Sequence, residues 1–254
     1  YDTVLWTLAI LVELLKKQFN TWVSDSTVAL HLHQLHLSCQ KPCYRSTGRD
    51  PAKVAAFVNE QFPKIQRFAK VMGADILFED EAGIGVMTRA GRTWGEVNSQ
   101  PQVNASDERG GYNVLSMVTA EGELVYEVEE GHIDSQRYIA FLRRVLEKRT
   151  RPIFVIADNV SFHKSADVRM FLALNRKKIR MFFLPTHAPE LNPDEQVWNE
   201  VKNNELGKQP IKNKLDLHKR IHRAFTSLQR QVNKIKAFFK LPYTRYAALE
   251  ASAM

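Results

Sequence analysis

Three acidic residues that stand far apart in the chain could together carry out metal-dependent chemistry. Asp80 follows the apolar-rich run 75–79, Asp158 follows the apolar run 153–157, and 36 residues separate Asp158 from Glu195. Cleavage of a phosphodiester bond must activate a water molecule or a 3′-hydroxyl and must stabilise charge on the attacking and leaving oxygens. Two Mg²⁺ ions about 3.5–4 Å apart can do both, and carboxylate oxygens are hard ligands that suit Mg²⁺.

The positions of these residues at the ends of predicted elements leave two interpretations open. If the two strands are parallel neighbours, Asp80 and Asp158 project from the carboxyl edge of the sheet, where open sheets bind ligands. An aspartate after a strand also commonly serves a turn. With Asn192 as N-cap and Pro193 in the first helical position, Glu195 falls at N3, which describes a capping box as well as a fixed ligand.

The elements that must position these residues alternate between strand and helix. A hairpin is predicted around the turn 120–123, and the apolar run 153–157 is typical of a strand that is buried on both faces. This pattern indicates an α/β fold with a mixed sheet flanked by helices. The predicted strands are 75–79, 114–119, 124–128, 153–157 and 179–184, and the predicted helices are 51–70, 135–148, 166–174 and one long final helix containing 217–235.

Residues 1–37 predict a small all-α helix-turn-helix domain. Leucine and valine recur at helical spacing in the first helix, and Ser24 is a plausible N-cap for the second, whose inner face is Val28, Leu32 and Leu35. Such a pair can place its second helix in a DNA major groove, although most helical pairs are only packing units. The opposite face supplies the candidate DNA contacts Ser26, His33 and Gln34, alongside Leu30.

A linker is predicted over residues 38–52, where helical periodicity stops and Pro, Gly and Ser collect. The remaining residues 53–254 form the predicted catalytic domain, with a basic helical segment at its C-terminal end. Cys39 and Cys43 lack a second cysteine pair, so no zinc site is expected, and two cysteines suit a reducing compartment.

The net charge of +8 indicates a polyanionic partner. Residues 1–199 are neutral overall, whereas residues 200–245 contain 12 Lys and Arg against 3 acidic residues. Such a segment favours nucleic acid because neutralised phosphates release counterions, but it equally describes a solvated helical face. Further candidate DNA contacts are Lys41 and Arg45 in the linker and the cluster Arg176, Lys177 and Lys178.

Membrane insertion and secretion are not expected. The longest apolar stretch near the start, residues 4–12, is much shorter than the roughly 20 residues of a bilayer span. The chain also shows no basic-then-apolar leader with a cleavage site. We therefore expect a cytoplasmic protein.

Three strings of residues resemble the signature blocks of DDE transposases of the mariner superfamily, in its bacterial insertion-sequence branch. They are Phe78 to Gly85 (Phe-Glu-Asp-Glu-Ala-Gly-Ile-Gly), Ala157 to Lys164 (Ala-Asp-Asn-Val-Ser-Phe-His-Lys) and Leu184 to Glu195, which ends in Leu-Asn-Pro-Asp-Glu. Residues 91–95, Gly-Arg-Thr-Trp-Gly, also fit that branch. Family members usually carry two helix-turn-helix units, and this chain has room for one.

The resemblance implies a ribonuclease-H-like catalytic domain in which Asp80, Asp158 and Glu195 are the catalytic metal ligands. It implies two Mg²⁺ ions, replaceable by Mn²⁺, and cleavage at inverted-repeat ends followed by strand transfer of 3′-hydroxyl ends into target DNA, usually at TA. Because two ends must be handled together, a homodimer on double-stranded DNA is expected. The alternatives are a metal-dependent nuclease without strand transfer and a catalytically inert DNA-binding derivative.

We predict structural roles for the residues near the three carboxylates. Glu79 and Glu81 lie on the opposite strand face from Asp80 and are expected to make surface or hairpin contacts. Asp194 is expected to serve the helix N-terminus. Asn159 and His163 are expected to shape the turn after Asp158, His187 and Trp198 are expected to pack, and the same is expected of Trp94.

Overall fold

The fold was analysed in a computed structural model of the chain, which describes residues 3–40, 46–86, 96, 102, 107–206 and 210–248. The chain divides into two compact units, Tyr1–Arg45 and Ser46–Met254, and the division falls within the predicted linker. The motif 91–95, including Trp94, and the candidate DNA contacts Lys41 and Arg45 lie outside the described residues. Within the described ranges, no helix has the length and apolar character needed to cross a bilayer.

The first unit contains two helices, α1 (Leu8–Phe19) and α2 (Asp25–Gln34). The side chain of Ser24 accepts a hydrogen bond from the backbone N–H of Thr27, at 3.1 Å, so the predicted N-cap is confirmed. Val28 is buried, as the predicted inner face requires. Leu35 follows the last helical residue and is 68% exposed, so its assignment to the inner face was wrong.

The second unit is built around a five-stranded mixed sheet in the order β3-β2-β1-β4-β5. Strands β1, β4 and β5 run parallel, and β2 lies antiparallel between β1 and β3. The strands are β1 (Asp75–Gly85), β2 (Gly111–Val118), β3 (Leu124–Glu129), β4 (Ile153–Ala157) and β5 (Ile179–Phe183).

Helices cover both faces of this sheet and bury two separate apolar clusters. On one face, Phe78 and Ile156 pack with α4 and the C-terminal helices, and on the other, Leu77 and Val155 pack with α5 and α6. The helices are α3 (Pro51–Ala56), α4 (Phe62–Met72), α5 (Ser135–Glu147), α6 (Ala166–Leu174), α7 (Glu195–Asn199), α8 (Lys214–Gln229) and α9 (Val232–Phe238).

The predicted helix 51–70 is divided into α3, a π-helical segment (Phe57–Gln61) and α4, and the strand predicted at 114–119 is Gly111–Val118. Two further predicted elements differ from those observed. The first strand continues past Glu79 to Gly85, because residues 78–85 pair with β2 after the pairing with β4 has ended. The predicted long final helix is divided into α8 and α9 around Gln231, whose side-chain amide donates to the carbonyl of Ser227 at 3.2 Å. The apolar stripe continues across the break, so helical periodicity could not reveal it.

A buried and an exposed leucine on the helices that cover one face of the sheet should respond very differently to truncation. Leu142 on α5 is fully buried, whereas Leu174 at the end of α6 is 80% exposed. We expect Leu142→Ala to lower the free energy of unfolding by about 2–5 kcal/mol and Leu174→Ala by less than about 0.5 kcal/mol. Urea denaturation followed by circular dichroism would measure both, and equal losses would contradict the assigned core.

Candidate active site

Asp80, Asp158 and Glu195 line one cleft of about 470 Å³ at the carboxyl end of β4 and β5. They reach it from three separate elements, namely the middle of β1, the end of β4 and the start of α7. All three are half-buried and therefore accessible from the cleft. The other lining residues are Asn159, Val160, Leu184, Pro185, Thr186, His187, Ala188, Pro189 and Asn192.

Asp80 lies just beyond the last parallel pair, Phe78 with Ile156, and so faces the open end of the β1–β4 ladder. Its Oδ1 accepts from the N–H of Glu81 and its Oδ2 accepts from Nε1–H of Trp198, both at 3.0 Å. Burial and the negative charge of nearby carboxylates, Glu195 first, hold the pKa of Asp80 well above its usual range. A cation in the cleft would relieve that repulsion.

Asp158 follows the last residue of β4 and differs electrostatically from Asp80. Burial alone would raise its pKa, but the imidazole of His163 and the N–H of Val160 outweigh burial and lower it. The Val160 N–H donates to Oδ1 at 2.9 Å, and Nδ1 of His163 lies 3.3 Å from the same oxygen. The Asp158 side chain is 44% exposed, so this carboxylate is both ionised and open to the cleft.

Glu195 is the first residue of α7, and the predicted capping box does not form. The box requires the Glu195 carboxylate to accept from the N–H of Asn192, but that N–H donates to the carbonyl of Pro189 at 2.8 Å. Burial raises the pKa of Glu195, the positive charge of Lys202 opposes that shift, and the charge of Asp158 adds to it. The carboxylate is therefore oriented by the helix start without serving as its cap.

Asn192, predicted only as an N-cap, attaches the loop before α7 to the sheet. Its Nδ2 donates to the backbone carbonyl of Glu79 at 2.9 Å, and its Oδ1 accepts from the N–H of Asp194 at 3.1 Å. The carbonyl of Leu191 accepts from the hydroxyl of Tyr246 at 2.9 Å. This contact of Tyr246 was not predicted, because the residue lies outside the three motifs.

Asp194 does not cap α7, so its predicted role was wrong. It is fully buried, and its Oδ2 accepts from the hydroxyl of Ser116 on β2 at 2.6 Å. Burial raises its pKa well above the usual range, and the hydrogen bond from Ser116 opposes that shift. Asp194 thus ties the start of α7 to the strand that pairs with Asp80.

Glu79 and Glu81 are not the surface residues that were predicted. Glu79 is completely buried, Glu81 is half-buried, and both lie beneath the sheet with the buried His163. Ligand atoms of these three residues lie within 4.8 Å of one another, so they form a second donor set that could hold a cation. Asp80, Asp158 and Glu195 do not meet that distance criterion in the described part of the chain. The three cleft carboxylates line an open cavity, whereas Glu79 and His163 of the second set are fully buried.

The residues predicted to pack or to shape the turn after Asp158 make different kinds of contact. Trp198 is 4% exposed and packs edge-on against Phe225, yet its indole also donates to Asp80. His187 is exposed, but its ring lies so close to Gly48 that a Cβ there would come within 2.8 Å of its Cδ2. Asn159 donates through Nδ2 to the carbonyl of Leu184 at 2.6 Å, which holds the turn after Asp158 as expected.

The predicted DNA contacts fall in different places. Ser26, His33 and Gln34 are exposed on α2, where they are available to a ligand. Arg176, Lys177 and Lys178 are also exposed, but they precede β5 and therefore lie at the opposite end of the parallel strands from Asp158. This position separates the cluster from the cleft.

The basic C-terminal segment is both a core element and a charged surface. Leu217, Ile221 and Phe225 of α8 are fully buried against the sheet. Lys234 forms an ion pair with Glu200 at 2.6 Å. Among the residues of the segment that the structure describes, the exposed cations are Lys212, Lys219, Arg223, Arg230, Lys240 and Arg245.

Two protein families match the chain. The family described as DDE superfamily endonuclease matches residues 75–218, and the family described as winged helix-turn helix matches residues 2–61. The "Insertion element IS630 uncharacterized 39 kDa protein" of Shigella sonnei is 25% identical over 154 residues, which are 59% of this chain and 43% of that protein. The chain thus spans less than half the length of this relative.

Solved structures of Mos1 share the fold. A pre-cleavage Mos1 transpososome has a TM-score of 0.64 at 15% identity and covers 97% of this chain and 76% of its own. The mariner Mos1 paired end complex with Mg has a TM-score of 0.63 at 16% identity, with coverage of 97% and 76%. The catalytic domain of Mos1 mariner transposase has a TM-score of 0.52 at 13% identity, with coverage of 82% and 100%. The predicted family resemblance and the ribonuclease-H-like fold class are confirmed.

The indole hydrogen bond to Asp80 should affect cation binding. Trp198→Phe keeps an aromatic ring against Phe225 but removes the donor to Asp80 Oδ2. We expect it to weaken Mn²⁺ binding to the full chain by about 10- to 100-fold, because partners that orient ligands typically contribute that much. Titration of free Mn²⁺ by electron paramagnetic resonance would measure this effect. Trp22→Phe, at a side chain 72% exposed in the first unit, is the control and should bind normally; equal affinities for the two variants would contradict the role of Trp198.

Proposed function

Because the chain belongs to the DDE superfamily of endonucleases, we propose that it is a DNA transposase that cleaves the ends of a mobile element and joins the 3′-hydroxyl ends to target DNA. The observation that supports this proposal most directly is the meeting of three motif carboxylates, Asp80, Asp158 and Glu195, in one accessible cleft. They come from separate elements, and hairpin or capping roles do not account for their convergence.

The donor set of the cleft fits divalent metal ions. Three carboxylates offer hard oxygen ligands, and the raised pKa of Asp80 and of Glu195 reflects burial and uncompensated negative charge. In the proposed site Asp80, Asp158 and Glu195 hold two Mg²⁺ ions, which Mn²⁺ can replace. When bound, the ions would lower the pKa of the attacking water or hydroxyl and stabilise charge on the attacking and leaving oxygens.

The protein itself contributes the fixed directions of the carboxylates. The Asp80 carboxylate is held by Trp198 and by the backbone, and Asp158 is kept ionised by His163 and the N–H of Val160. Glu195 is held through the attachment of its loop to β1. Such preorganisation means that little side-chain motion is needed when a phosphodiester approaches.

DNA binding and assembly extend the proposal. The exposed face of α2, with Ser26, His33 and Gln34, would contact the end of the element, and the basic C-terminal segment would contact its backbone. The similar Mos1 structures include paired end complexes and a strand transfer complex. We therefore propose that two copies of the chain bind two ends together and insert them, with TA as the expected target.

A metal-dependent nuclease without strand transfer is the second candidate, because the same cleft would support hydrolysis alone. An inert DNA-binding derivative is disfavoured, since an idle domain has no need to bring three acidic residues into one cleft against their mutual repulsion. Strand transfer therefore distinguishes the leading proposal from the nuclease.

Removal of the third carboxylate should abolish chemistry and leave the fold intact. Glu195→Gln preserves shape at the start of α7 but loses a charged ligand, so we expect Mg²⁺-dependent cleavage to fall by about 100-fold or more. We expect Mg²⁺ to raise the melting temperature of the parent chain, and to raise that of this variant less. Glu205→Gln, at an exposed residue after α7, is the matched control and should cleave normally. Near-normal cleavage by Glu195→Gln would remove Glu195 from the ligand set.

Joining can be tested with DNA ends selected for the protein. A random duplex library bound by the full chain would identify its preferred end sequence, and pre-cut duplexes with a free 3′-hydroxyl would then be mixed with supercoiled plasmid and Mg²⁺. We expect covalent joining of the labelled end to the plasmid, and none with a 3′-deoxy end. Plasmid cleavage without joining would favour the nuclease, and loss of both by Asp80→Asn would locate either activity in the cleft.

A further inference from the structure

The imidazole of His163 lies between a buried carboxylate and a carboxylate of the cleft. Its Nε2 is 3.2 Å from Oε2 of Glu79, and its Nδ1 is 3.3 Å from Oδ1 of Asp158. The ring packs against Tyr138 and Phe162, with ring-centroid distances of 4.6 and 4.4 Å. The contacts at both ring nitrogens and with two aromatic rings leave the imidazole little freedom to rotate.

Glu79 connects this imidazole to the other two cleft carboxylates. It directly precedes Asp80 on β1, and because side chains alternate along a strand it points beneath the sheet while Asp80 points to the cleft face. Its backbone carbonyl accepts from Nδ2 of Asn192, which begins the turn that leads to Glu195. Glu79 is therefore linked to all three cleft carboxylates. It contacts His163, which lies beside Asp158, it directly precedes Asp80, and its carbonyl holds the turn that leads to Glu195.

We propose that Glu79 and His163 form a buried positioning pair that sets the direction of the Asp158 carboxylate toward its metal ion. This inference rests on the proposed function, since it assigns Asp158 as a metal ligand. The side chains of Glu79 and His163 are both 0% exposed, so neither can contact DNA. Metal-ligand carboxylates are commonly oriented by partners of this kind, and loss of such a partner typically costs 10- to 100-fold in metal affinity.

The two nitrogens of His163 can be tested separately. His163→Asn places an amide near the position of Nδ1, toward Asp158, whereas His163→Gln places it near Nε2, toward Glu79. We expect His163→Gln to weaken Mn²⁺ binding to the full chain by about 10- to 100-fold and His163→Asn to weaken it less. His132→Gln, at an exposed histidine, is the matched control and should bind Mn²⁺ like the parent chain.

A second pair of variants approaches the contact from its other end. Glu79→Met and Glu81→Met each remove one carboxyl group from the same strand face, but of these two residues only Glu79 lies within ion-pair distance of His163. A larger loss of Mn²⁺ affinity in Glu79→Met than in Glu81→Met is expected. If circular dichroism shows that His163→Gln does not fold, this comparison tests the positioning role in its place.

Electron paramagnetic resonance of free Mn²⁺, without DNA, would measure every variant alongside Asp158→Asn. If Asp158→Asn binds Mn²⁺ like the parent chain, the ligand assignment of the proposed function fails and the positioning role fails with it. If Asp158→Asn binds weakly but folded His163→Gln binds normally, or no more weakly than His163→Asn, only the positioning role is overturned. Equal losses in Glu79→Met and Glu81→Met would also overturn it, because the contact with His163 would then make no difference to the effect.

Discussion

The attachment of the start of α7 to the sheet is the constraint on which the cleft depends. Asn192 donates to the carbonyl of Glu79, Ser116 donates to Asp194, and Trp198 donates to Asp80. Each of these hydrogen bonds joins a residue of the short segment 192–198, which follows the last strand, to β1 or to β2 beside it. They hold a helix that carries one carboxylate against a strand that carries another, in spite of charge repulsion between the two.

The pKa values of the three cleft carboxylates are shifted in different directions, and their different surroundings explain why. Asp80 is surrounded by other carboxylates and raised in pKa, whereas Asp158 receives a backbone N–H and an imidazole and is lowered in pKa. Glu195 stands between these cases, because the charge of Lys202 opposes the effect of burial. A cation in the cleft would relieve the repulsion that raises the pKa of Asp80.

Most helices and strands could be predicted from the sequence, but the burial of polar residues could not. Ile153–Ala157 and Ala166–Leu174 were predicted with the observed bounds. An uninterrupted apolar run marks the first, and in the structure the side chain of Ser165 caps the second. The extension of the first strand depends on pairing with β2, which is not encoded in its own residues. The burial of Glu79 was missed for a related reason. Its residue type indicates solvent, and its buried partner His163 lies far away in the sequence.

The alternation of side chains along β1 explains why neighbouring acidic residues have different tasks. Asp80 faces the cleft, and Glu79 and Glu81 face the opposite layer, where burial raises the pKa of Glu81 to about 8. A buried carboxylate without a cationic or hydrogen-bonding partner is costly, so its presence beneath an active-site strand needs a reason. The contact from Glu79 through His163 to Asp158 supplies one, because it allows the layer beneath the sheet to set the geometry of the cleft above it.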